Sequence, residues 1–142
     1  MRLLIMGPPG AGKGTQAVLI KDAYQIQHIS TGVMFREAIA ENSSLGIEAK
    51  KYIDKGELVP DDITIEVVKE RLAFPNCHKG FILDGFPRTI VQAEALDKIL
   101  RRINMDLDIV LNIEVDNEVL VNRIAGRRVC PNCGAGYHTE SI

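Results

Sequence analysis

The run Gly7-Pro8-Pro9-Gly10-Ala11-Gly12-Lys13-Gly14-Thr15 follows directly on the apolar stretch Arg2-Leu3-Leu4-Ile5-Met6, and that junction limits what the chain can fold into. A short buried strand runs into a glycine-rich turn, and the turn opens a helix at Lys13. In that order the backbone N–H groups of the loop converge where the helix N-terminus also presents its positive end, a ready place for an anion. Glycines at 10 and 12 let the main chain approach phosphate oxygens and adopt positive φ. Lys13 can reach the outer phosphates, and the Thr15 hydroxyl can enter a magnesium shell. A plain turn between strand and helix needs none of these residue types at these spacings. The implied ligand is a nucleoside triphosphate.

Charge says how such a ligand must be held. Across 142 residues, 17 basic side chains face 19 acidic ones, for a net charge of −2. No broad basic field exists to hold nucleic acid, so positive charge must be placed locally around a small anion. The apolar N-terminal run is too short for a signal segment, and no stretch is long enough to span a membrane. Three cysteines do not make a disulfide framework. We expect a cytoplasmic protein with no membrane partner.

Apolar runs predict strands over residues 2–6, 81–83 and 109–115, with a weaker one over 27–30. Helical spacing covers 13–24, 34–40, 47–55, 63–72, 89–103 and 118–124. This alternation predicts an α/β fold, a parallel sheet with helices on both faces. Ligands on such sheets bind beyond the carboxyl ends of the strands, where both 7–15 and 84–88 fall. Residues 31–60 hold two short helical patterns without a strong strand, with Gly32, Gly46 and Gly56 at the joints, and read as an insertion that pivots as a unit. The tail after Arg128 shows no recognisable element.

Several side chains add to the phosphate loop. Asp84 ends an apolar strand and is placed to orient magnesium through its water ligands. Arg88, after Gly85-Phe86-Pro87, can clamp phosphoryl oxygens, since as a plain helix-start arginine it would oppose the dipole. Gln92 lies one turn on, with an amide that donates and accepts as a base reader must. Arg123 and Arg127, spaced i, i+4 near a helix end, suggest a shared polyphosphate, although a helix C-terminus alone favours arginine. Thr31 reads as a helix cap, and Arg36 as a ligand for a second phosphate. Cys130 and Cys133 form half of a structural zinc site, with His138 a candidate third ligand. His28, His78 and Cys77 have no evident partner.

Taken together, these segments resemble the bacterial adenylate kinases with a long, cysteine-containing lid. The matching motifs are 7–15, Ser30-Thr31-Gly32 with Arg36, Gly56-Glu57-Leu58-Val59-Pro60-Asp61, Asp84-Gly85-Phe86-Pro87-Arg88 with Gln92, and Arg123-Ile124-Ala125-Gly126-Arg127-Arg128. The resemblance implies a single P-loop kinase core over 1–142, with a monophosphate-binding insertion at 30–59 and the start of a lid at 123–142. It implies that Gly10, Ala11, Gly12, Lys13, Gly14, Thr15, Arg123 and Arg127 hold ATP with Mg²⁺. Thr31, Arg36, Glu57, Leu58, Val59, Gly85, Arg88 and Gln92 would hold AMP, with Phe86–Pro87 cis. Lys13, Arg88 and Arg123 would be catalytic, in a transfer from ATP to AMP that yields two ADP.

Complete relatives continue through a second metal-ligand pair, two more lid arginines, a strand and a helix, so this chain reads as truncated within the lid. We expect a monomer for a complete chain, self-association of a truncated one through the edge at 109–115, and a loosely held tail over 128–142. Three alternatives stay open. One is a kinase for another small acceptor, and another is a nucleotide-binding fragment without activity. The third, a regulatory GTPase, lacks its Asn-Lys-x-Asp guanine reader.

Overall fold

The structure is a computed structural model describing residues 1–140; Ser141 and Ile142, the end of the expected lid and tail, lie outside the described residues. Four parallel strands form one sheet: β1 (Arg2–Met6), β2 (Gln27–Ser30), β3 (Phe81–Asp84) and β4 (Ile109–Asn112), in the order β2-β3-β1-β4. The first three match the expected segments to within a residue. β4 stops at Asn112, because pairing with β1 ends where β1 turns into the phosphate loop at Met6.

Alternation along the strands sends side chains to two different layers. Leu4, Ile29, Phe81 and Leu83 pack under α4 (Asp61–Leu72) and α5 (Ile90–Arg102), against Val68, Leu72, Leu96, Ile99 and Leu100. Leu3, Ile5 and Ile82 face α1 (Lys13–Tyr24) through Ala17 and Ile20. Each fully buried Leu or Phe in these layers contributes roughly 1.5–3 kcal/mol. Cys77, in a 3₁₀ turn at Pro75–Cys77, is sealed in the first layer, where burial pushes its thiol pKa up. Its sulfur accepts from Arg71 Nη1 at 3.0 Å.

Helices α2 (Thr31–Ala40) and α3 (Ser44–Ile53) carry a small core of their own, with Phe35, Ala49, Val59 and Val67 at its centre. Gly46 is not a joint between segments, as the sequence suggested. It lies inside α3, directly under the Ala38 carbonyl, and a Cβ there would overlap that backbone. Gly56, at φ +70°, does sit in a turn. The cap of α2 is Ser30, whose hydroxyl accepts from Val33 N–H, so Thr31 is the first helical residue instead of the cap.

After α6 (Asn117–Gly126), β5 (Arg127–Val129) and β6 (Gly136–His138) form an antiparallel hairpin. This hairpin was not legible in the sequence. Arg127 therefore leaves the helix at ψ 132° and does not share a helical face with Arg123.

Candidate functional site

A cleft of about 890 Å³ opens at the carboxyl ends of β1 and β3, lined by the loop and by Lys13, Arg36, Asp84, Arg88, Arg123 and Arg127. The strand order places it there. β1 and β3 are neighbours, and the chain leaves them toward opposite layers, which opens a crevice between the departing loops.

Gly10 and Gly12 turn the loop at φ +81° and +100°, values an L side chain rarely adopts. Gly12 then caps α1, so the first N–H groups of that helix face the cleft mouth. A Cβ on Gly10 would stand 3.0 Å from Ile124 Cγ1, so the loop lies directly on α6. Arg123 ties the two together, its Nη1 donating to the carbonyls of Gly10 and Ala11 at 3.4 Å each. Lys13 folds back, Nζ donating to the Pro8 carbonyl at 3.1 Å. Partial burial lowers its pKa, Asp84 opposes that, and Arg88 and Arg127 lower it further. An anion in the cleft would relieve this crowding of like charges.

Asp84 is 8% exposed, a carboxylate at the floor of the cleft. Its side-chain partner is His28, Nε2 to Oδ2 at 3.2 Å. The sequence assigned His28 nothing, because the pairing depends on β2 lying beside β3. In that register His28 is opposite Ile82, so both side chains of the pair point to the α1 layer.

On the other wall, the Gly85 carbonyl accepts from Thr31 Oγ1 at 3.1 Å and from Arg88 Nε at 2.9 Å. The Phe86–Pro87 peptide is cis. Gln92 is 3% exposed and does not line the cleft. Its Oε1 accepts from Arg88 N–H at 2.7 Å, and its Nε2 donates to Asp61 Oδ1 at 2.8 Å. Asp61 is thus a second residue to which the sequence reading gave no role of its own. Glu57 and Leu58 are exposed and Val59 is buried, and all three stand outside the cleft lining.

The hairpin holds Cys130 half-buried and Cys133 exposed. Backbone N–H groups of Cys133 and Asn132, with help from the Cys133 side chain, point at the Cys130 sulfur and hold its pKa below the ordinary thiol value. His138 does not join them. It packs at the hairpin's root against Gly126, where its Nε2 lies 3.3 Å from the Asn122 carbonyl. Among the described residues no three metal-ligating side chains cluster, so the donor set does not fit a closed structural zinc site. Among the same residues, no helix is long and apolar enough to cross a membrane.

Comparison with known proteins gives the arrangement a lineage. The adenylate kinase family profile matches residues 5–141. An adenylate kinase of Carboxydothermus hydrogenoformans is 61% identical over 140 residues, covering 99% of this chain and 65% of the relative. Those of Geobacillus sp. WCH70 and Desulfitobacterium hafniense are 58% and 60% identical over 138 residues, each covering 97% of this chain and 64% of the relative. The chain thus spans a little under two thirds of the length of these relatives. A profile matched almost from end to end, on a parallel sheet with a phosphate loop at its switch point, has one reading: the chain belongs to the adenylate kinase family.

Proposed function

We propose that this chain belongs to an enzyme that transfers the γ-phosphoryl group of Mg-ATP to AMP, giving two ADP. The observation that carries the reading is the convergence of Lys13, Arg36, Arg88, Arg123 and Arg127 on one cleft, in a chain whose net charge is −2. At about 890 Å³ the cleft stands at the upper end of the range for small-ligand sites, as two nucleotides sharing one polyphosphate track require.

The chemistry needs no general base, since the attacking AMP phosphate oxygen is already anionic. Rate then comes from in-line alignment and from neutralising the equatorial oxygens of the transferring group. Lys13, Arg88 and Arg123 supply that charge. The loop at 10–15 and Arg127 hold the ATP phosphates, and Asp84 orients the substrate's Mg²⁺ through water. Thr31, Arg36 and Gly85 hold the AMP phosphate, and Glu57, Leu58, Val59 and Gln92 hold its base. Because Gln92 is buried, the base site forms only when the unit at 30–59 shifts as a body. Such a reaction belongs in the cytoplasm, where its nucleotides are.

A coupled assay of ADP formation, run with AMP, GMP and UMP as acceptors, tests this. ADP from AMP alone supports the assignment. Equal transfer to GMP sinks the reading of Gln92. ATP binding without any ADP formation favours a second reading, a nucleotide-binding chain without turnover.

A further inference from the structure

We propose that Asp61 is a positioning residue that locks the amide of Gln92 in one orientation and thereby sets which purine edge the site accepts. The inference rests on Gln92 as the base reader and adds what makes that reading one-sided. An amide oxygen and nitrogen occupy nearly the same volume, so a free glutamine can turn over and suit either kind of edge. Here it cannot. Arg88 N–H can only donate, and it takes Oε1 at 2.7 Å. The Asp61 carboxylate can only accept, and it takes Nε2 at 2.8 Å. Turning the amide would set N–H against N–H at one end and oxygen against oxygen at the other. At 3% exposure the amide is shielded from the bulk water that would otherwise soften that exchange.

Asp61 is itself fixed, its Oδ1 also accepting from Thr89 Oγ1 at 3.0 Å. As a residue in the first turn of α4 it would be favoured by the dipole wherever its side chain pointed. Aimed instead at the start of α5, it does more than favour its own helix.

The locked amide has one lone pair on Oε1 and one N–H on Nε2 left over. That pair complements a 6-aminopurine, whose amino group donates and whose N1 accepts. A 6-oxopurine presents the reverse order and meets repulsion at both atoms. Discrimination between the two purine classes thus comes from a residue that does not contact the base.

The test measures affinities for AMP and for its 6-oxo counterpart IMP on the chain and on Asp61→Asn, Asp61→Ala and Gln92→Ala. We expect the native chain to favour AMP by about tenfold or more, the value of two mismatched hydrogen bonds. Asp61→Asn offers either an N–H or an oxygen to the amide, and Asp61→Ala offers nothing, so in both only the Arg88 N–H still opposes the turned amide and the AMP:IMP ratio should fall by about threefold or more. A general loss of stability would weaken both ligands and leave the ratio alone. A native ratio that persists in both Asp61 variants but collapses in Gln92→Ala overturns the orienting role and keeps the base reader. A ratio unmoved by Gln92→Ala overturns both.

Discussion

β3 and β4 are built from nearly the same residues, Phe-Ile-Leu-Asp and Ile-Val-Leu-Asn, yet their surroundings are opposite. All four residues of β3 are buried, between β2 and β1 and under helices on both faces. In β4, Ile109 is 45% exposed and Val110 54%, and among the described residues the strand pairs only with β1. Side-chain type decides that each segment is a strand, and neighbours alone decide what the strand can do. A carboxylate at the end of β3 is walled in beside Lys13 and His28, where its charge acts through little water. The amide at the end of β4 has no such enclosure.

The strongest way to break this contrast is to remove the cation that β3's enclosure serves. Under the proposed transfer, in which charge neutralisation is most of the mechanism, Lys13→Ala should lower ADP formation by about 10³-fold or more. Unchanged turnover in the assay would place the chemistry elsewhere. Matched truncations read the contrast as stability. Leu83→Ala in β3 should cost about 2–5 kcal/mol in urea unfolding, and Leu111→Ala in β4 less than about half as much. Equal losses would mean that the β4 edge is covered in solution.

His28→Ala tests the enclosure itself. Loss of the N–H aimed at Asp84 should raise the Mg²⁺ concentration needed for ATP binding by about three- to tenfold, measured by calorimetric titration. His28→Gln, which can still donate, should recover most of it. The smallest effect is expected at the open strand. Val110→Lys should change stability by less than about 0.5 kcal/mol while suppressing concentration-dependent association seen by sedimentation. A native chain that sediments as a monomer at all concentrations would show that this edge does not pair.

Local signals were enough for much of this. β1 and α1 fall where the sequence put them because an apolar run, a glycine turn and a helix start follow one another along the chain. Arg88 and Arg123, which line the cleft, were legible for the same reason, one beside a turn and one in a helix's last turn, whereas Arg36, in the middle of α2, had only its spacing from Thr31. What was not legible depends on pairs distant in sequence. His28 meets Asp84 only because β2 and β3 are adjacent, and Asp61 meets Gln92 only because α4 packs on α5. Gly46 looked like punctuation until α2 was laid against α3. The hairpin at 127–138 gave no strand signal, since its short arms hold glycine, arginine and histidine and bury almost nothing.

The sealed position of Cys77 gives the molecule a chemical clock. Cys133 and Cys130 stand at the hairpin where a thiol reagent finds them in the folded chain, and the lowered pKa of Cys130 quickens its reaction. Cys77 waits until the layer beneath α4 parts. The lag between fast and slow labelling therefore counts openings of that layer, one molecule at a time. Any nucleotide that binds only the closed form should lengthen the lag by a factor of one plus its free concentration over its Kd, so the chain reports its own ligands without an added probe.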